Sequence, residues 1–217
     1  MGILQNCGIL NKKDIQELLA LTFGKANVRI MKDLEKGLKY MQRGYPYQLK
    51  QRYKDVKNNI SASYIRERIN IESINVLTDG DRLSKKAISK ILNILNESEK
   101  ETQTKLKEYY KMMCDIYGIS AEEPEPTQDE VIAAKITPVL TENGLKGKFD
   151  FSGREYFPDL SYFSRFELMN FIDSGLSVLD IKNSISLQFG KVDIKPVIKF
   201  YKNLEKKGII KLKNIKD

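Results

Sequence analysis

The stretch "SKKAISKILNILNESEKETQTKLKEYYKMMCDIYG", residues 84–118, constrains the fold of this chain more than any other. Ile88, Leu92 and Leu95 recur at spacings of four and three, and the period resumes at Leu106, Tyr109, Met113 and Ile116. That is one face of an α-helix, with Ser84 as its expected cap and Gly118 as its stop. A helix of about 33 residues runs roughly 50 Å at 1.5 Å per residue, longer than a small domain is wide. It must therefore either break or project as an arm. Glu99 and Thr102 interrupt the apolar seam, so a break near Asn96-Glu97-Ser98, or a solvent-bridging stretch, is the expectation. A homo-oligomer built through the 84–117 helix is the other use of such an arm.

Before this helix, Asn11 to Leu21 predicts a capped helix lined by Ile15, Leu18 and Leu19. After Gly24 a second helix is expected from about Asn27, carrying Ile30, Leu34, Leu38 and Met41 and ending at Gly44 and Pro46. The two read as an antiparallel pair. Beyond the long helix, "SAEEPEPTQDE" is acidic, holds Pro124 and Pro126 and has no apolar period, the composition of a linker. The expected organisation is a helical domain over 1–119, a linker over 120–130 and a mixed domain over 131–217. The fold class is mainly α with a small β component.

In the last part, Asn143-Gly144 lies between two short alternating runs and predicts a β-hairpin over about 136–151. Residues 162–213 then parse as three helices and a strand. The first is expected to be capped by Ser164 with Phe166, Met169, Phe171 and Ile172 inward. The second starts at Ser177, buries Val178, Ile181, Ile185 and Phe189, and ends at Gly190. The third has Asp193 as cap and Pro196 in its first turn, where a missing N–H is harmless. Its inner stripe is Ile194, Val197, Ile198, Tyr201 and Leu204, and Gly208 stops it. "IIKLK" alternates as a half-exposed strand does.

Several chemistries are excluded on composition. The chain has no histidine, which removes imidazole general bases, histidine triads and histidine-containing zinc sites. No phosphate-binding GxxxxGK[ST] loop, GxGxxG turn or CxxC pair is present. Asp79-Gly80-Asp81 is explained by a turn before a helix. We therefore expect no enzyme, no cofactor and no metal. Cys7 and Cys114 stand far apart and suggest a reducing, cytoplasmic setting. No run reaches the 18 to 20 apolar residues of a membrane span, and the apolar start lacks the flanks of a signal peptide. The 37 Lys and Arg against 29 acids give a net charge of +8, a balance suited to a polyanionic partner.

Two groups of residues fit such a partner. In "GYPYQLKQRYKDVKNNISASYIRERI", Tyr45, Tyr47, Tyr53 and Tyr64 interleave with Lys50, Arg52, Lys54, Lys57, Arg66 and Arg68. Rings can stack on bases while cations meet phosphates. The competing explanation buries the rings in the helical core, since Tyr53, Val56 and Ile60 fall at helical spacing. The second group is the lysine-rich face of the final helix and strand.

The order of helices and strand over 162–213, with the strands near 136–151, resembles a winged-helix domain. "IDSGLSVLDIKNSISLQFG" followed by "LEKKGII" is also similar to the peptide-recognition winged helices that accompany ribosomal-peptide-modifying enzymes. A fainter likeness is to C-terminal extensions of zinc aminopeptidase-like proteins, whose histidine ligands this chain lacks. The resemblance to nucleic-acid-binding winged helices implies a third helix in a major groove, presenting Lys195, Lys199, Lys202 and Lys206. Lys207, Lys211 and Lys213 would lie near the backbone, and Asn203 is the one side chain able to read an adenine. A lysine meets phosphate as a point charge, so low sequence specificity follows. DNA or RNA is the first expected partner. A protein or peptide, taken by strand addition or along the long helix, is the alternative.

Overall fold

The computed structural model describes residues 12–78, 81–145 and 158–215, and among these the chain is mainly helical with a single two-stranded sheet. It divides into two units, 1–124 and 125–217, each with its own core.

The N-terminal unit holds α1 (Lys12–Gln42), α2 (Leu49–Glu72) and α3 (Arg82–Tyr117), with α2 packed on both of the others. The expected break at Gly24 does not occur; α1 is one helix. The buried residues Ile15, Leu19, Ala26 and Ile30 keep one stripe across the glycine, because Leu19 and Ala26 are two turns apart. A helix-interior glycine costs about 1 kcal/mol, whereas each aliphatic side chain fully buried contributes about 1.5–3 kcal/mol. Packing wins. Further along, Gly37 marks a close approach: a Cβ there would stand 2.6 Å from Val56 Cγ1.

The break expected near Asn96-Glu97-Ser98 is also absent, and α3 runs unbroken for 36 residues. Its cap is Asp81 rather than Ser84, whose N–H donates to the Asp81 carboxylate at 2.8 Å. The stop is Gly118, in the left-handed region at φ 64. The polar middle is a seam with α2. Tyr64 Oη lies 2.9 Å from both Ser98 Oγ and Thr102 Oγ1, Arg68 pairs with Glu99 at 2.6 Å, and Gln103 donates to Lys57 O and Ser61 Oγ. The interrupted apolar period thus records a polar contact inside the unit. Ile116, expected on the buried seam, is exposed.

The same unit buries charge. The Glu67 side chain is fully buried and takes hydrogen bonds from Arg29, from Arg66 at 2.8 Å and from Asn70 at 3.2 Å. Burial alone would raise its carboxyl, but these three donors outweigh it and hold the group below its usual range. Arg66 also reaches Asp33, which accepts from Ser63. Nearby, Tyr53 and Tyr110 stack in parallel with centroids 4.2 Å apart, a contact worth about 0.5–1.5 kcal/mol beyond its area.

The segment read as a linker is anchored at both ends. Glu122 and Glu123 pair with lysines of α2 and α3. Thr127 opens α4 (Gln128–Ala133) in a reciprocal capping box with Glu130.

The C-terminal unit continues with β1 (Ile136–Leu140), α5 (Glu142–Leu145), α6 (Tyr162–Asn170), α7 (Val178–Phe189), α8 (Ile194–Lys206) and β2 (Ile210–Asn214). The strands are antiparallel, with Pro138 opposite Leu212. Asn143-Gly144 is therefore no hairpin turn: it lies in α5, and β1 finds its partner about seventy residues on. The glycine is there for proximity, since a Cβ at Gly144 would come within 2.4 Å of the Ile209 carbonyl. Thr141 organises this corner. Its N–H donates to Ile209 O, its hydroxyl to Gly208 O, and its Oγ1 accepts from the Gly144 N–H. The return run expected over 146–151 lies outside the described residues.

Ser161, not Ser164, caps α6, and Ser164 is buried inside the helix. The core gathers Leu168, Val178, Ile181, Ile185, Val197, Tyr201 and Leu204. The Tyr201 hydroxyl donates to Leu168 O at 2.7 Å. Phe166 and Phe189, expected inward, are exposed. Ser177 caps α7 as expected, and Asp193 stands at the N-cap of α8 without a side-chain cap bond.

A carboxylate accepts from one outward N–H on each strand of the two-stranded sheet. Asp173, at φ 63, accepts from Leu140 N at 2.9 Å and returns its own N–H to Pro138 O at 3.1 Å. On the opposite strand Glu205 accepts from Leu212 N at 2.8 Å.

Candidate nucleic-acid interface

Four residues, Gly190 to Asp193, join α7 to α8, and the amphipathic pattern of α8 decides what faces out. Val197, Ile198, Phe200, Tyr201 and Leu204 are buried. Lys195, Lys199, Lys202 and Lys206 fall at i, i+4, i+7 and i+11, on the opposite face, and all are exposed. After Gly208 turns the chain, Ile210 and Leu212 point to the core while Lys211 and Lys213 alternate outward. Lys207 is exposed at the junction.

Among the described residues no ion pair engages Lys195, Lys199, Lys202, Lys206, Lys211 or Lys213. Asn203 is half-buried near the C-terminal end of α8, where its carbonyl accepts from Lys207 N. The face is thus a row of point charges with little capacity for paired donor–acceptor readout of base edges.

The second predicted group does not form one surface. Tyr53 is 1 % exposed and stacked on Tyr110, and burial, with a smaller contribution from Glu123, pushes its hydroxyl up to about 12. Arg52 is 8 % exposed, donates to Gln48 and lies 5.8 Å from the Tyr40 ring centroid. Tyr64, Arg66 and Arg68 belong to the interhelical network. Lys54 is half-buried. What remains outward is Tyr45 and Tyr47, 66 % and 76 % exposed and stacked on each other at 5.6 Å, together with Lys50, while Lys57 is half-buried like Lys54.

Lys50 and Lys57 are engaged by residues the sequence reading placed in the linker. Lys50 meets Glu122 at 2.7 Å, and Glu123 lies 2.7 Å from Lys107 and 3.9 Å from Lys57. The hydrogen bond from Lys50 holds the Glu122 carboxyl below its usual range. For Glu123 the bond from Lys107 does the same, aided by the charges of Lys107, Lys57 and Lys111. The available signal was complementarity: an acidic run following directly on a helix rich in lysine.

No protein-family model, no curated protein and no solved structure matches this chain.

Proposed function

We propose that the C-terminal unit is a winged-helix-like, non-catalytic nucleic-acid-binding module of low sequence specificity, whose contact face is the lysine row of α8 and β2. One observation carries the reading: six exposed lysines on one helix face and the following strand, none in an ion pair among the described residues. The arrangement around it supports the same reading. A strand, four helices of which the last two are joined by a four-residue turn, and a second strand follow in order, and the two strands pair. This places α8 directly before β2, as a recognition helix stands before its wing.

Lysines that neutralise phosphates release condensed counterions, so affinity falls steeply with salt. With about four phosphate contacts, raising salt from roughly 50 to 200 mM weakens binding about 100-fold. Anisotropy of a labelled duplex at two salt concentrations tests this. Micromolar binding at low salt, lost in the variant Lys195→Glu/Lys199→Glu/Lys202→Glu, is the expected result. Absence of binding to any duplex or single strand, or equal binding by the variant, overturns it.

The adaptor alternative is favoured by one observation, the exposed Ile94, Met112 and Ile116 on α3. Charged residues, Glu97, Glu101 and Lys105 among them, stand between Ile94 and Met112, which weighs against a self-associating seam through this helix. Strand addition is weighed against by Asp173 and Glu205, which already occupy outward groups of both sheet edges.

A further inference from the structure

The acidic segment after α3 is a cover lying on a basic surface of the N-terminal unit. Gly118 ends α3 and reverses the chain, with Ile119 N donating to Cys114 O. The returning residues then pass Tyr110, whose hydroxyl donates to Glu122 O at 2.9 Å. This delivers two adjacent carboxylates to three ammonium groups on two helices, Lys50 and Lys57 of α2 and Lys107 of α3. Lys50 and Lys57 are two helical turns apart, on one face. The exposed, stacked pair Tyr45 and Tyr47 ends three residues before Lys50 in the sequence.

Aromatic faces beside a row of cations make a sequence-tolerant grip for unpaired bases and their phosphates. The ion pairs that hold the cover are all between side chains 45 % or more exposed. Pairs of that kind contribute little against competition from salt or another anion. A polyanion of higher charge density can displace them.

We propose that Tyr45, Tyr47, Lys50, Lys57 and Lys107 form a second site, for single-stranded nucleic acid, and that Glu122 and Glu123 occupy its phosphate positions as a built-in competitor. The cover opens when a strand takes the lysines and closes when the strand leaves. Single-strand affinity is therefore held below what the surface alone would provide.

The test uses the full chain and a labelled oligothymidine of about 15 nucleotides, within the span such surfaces grip, with a labelled duplex in parallel. Glu122→Gln/Glu123→Gln keeps the side-chain volume and removes the competing charge; it is expected to bind the oligothymidine about 10-fold more tightly, with duplex affinity unchanged. Adding Lys50→Ala/Lys57→Ala/Lys107→Ala abolishes that gain, whereas adding Lys195→Glu/Lys199→Glu/Lys202→Glu leaves it in place. In the Gln background Tyr45→Ala/Tyr47→Ala lowers oligothymidine affinity and spares binding of inorganic polyphosphate, which has no bases. Circular dichroism verifies that each variant stays folded. An unchanged affinity on removing the two carboxylates overturns the proposal, as does a gain that persists without the three lysines or a tyrosine pair whose loss is silent. A failure of the α8 lysines to bind duplex leaves these readouts untouched, so the two readings fall separately.

Discussion

The two units treat charge in opposite ways. In the N-terminal unit Arg29, Arg66, Arg68, Asp33, Glu67 and Glu99 tie one helix to the next, and one of the carboxylates is wholly buried. In the C-terminal unit the buried side chains among the described residues carry no charge, and the lysines of α8 stand outward. An ion pair inside a bundle fixes which helix faces meet, since any slip strands a desolvated charge. A charge left outside fixes nothing internally and is available to a partner. The first unit uses charge to hold its own register; the second leaves its lysines at the surface.

The largest effect that would test this contrast is at Glu67. Glu67→Ala leaves Arg29 and Arg66 without their shared acceptor; because both guanidinium groups can still reach water, a loss of about 2–3 kcal/mol is expected, at the low end for a broken buried pair. Urea denaturation measures it. The folded-state carboxyl lies below its ordinary value, so this contribution is fully present above the unfolded pKa and is lost as pH falls through the folded one. Amide-exchange protection in α2, relative to the intrinsic rate at each pH, should fall below about pH 4.5, and Glu67→Gln should flatten that dependence. An unchanged acid response in the Gln variant would remove the carboxylate from the account.

Next in size is Gly37. Adding a Cβ against Val56 overpacks the α1–α2 contact, at a cost of about 1–3 kcal/mol partly offset by the roughly 1 kcal/mol gained in helix propensity. Gly37→Ala should therefore lower the unfolding midpoint modestly, and Val56→Ala in the same chain should be milder than its single effect predicts. Simple additivity of the two would show that the helices do not meet there. In the C-terminal unit Tyr201→Phe removes one neutral buried hydrogen bond, with an expected loss of about 1 kcal/mol. The smallest effect belongs to the lysine face: Lys195→Glu/Lys199→Glu/Lys202→Glu should move stability by roughly 0.5 kcal/mol or less. A larger loss would mean that those ammonium groups support the fold.

What could be read from the residues depended on whether a signal had one physical cause. Gly118 and Ser177 were legible because a left-handed stop and an N-cap each have a single local origin. Gly24 and Asn143-Gly144 misled because glycine serves several ends. At position 24 a two-turn register between Leu19 and Ala26 carried the helix through, and at 144 the need was room for a carbonyl from the far end of the unit. The polar stretch around Ser98 and Thr102 suggested water because a single chain does not display Tyr64 opposite. For the candidate interface, the outward lysines of α8 followed from periodicity alone. That Lys50 and Lys57 are already held by Glu122 and Glu123 depended on the fold-back after Gly118, which no local pattern encodes.

The small sheet carries one more consequence. A two-stranded ribbon with bare flanks is a template on which identical ribbons can stack into filaments. Asp173 and Glu205 plug it with carboxylates, so each flank offers negative charge where an incoming strand would need free amide and carbonyl groups. Resistance to such stacking thus hangs on two acids, one of them set among the lysines of α8 itself, and a chain with both replaced by alanine should be the first to turn cloudy on standing.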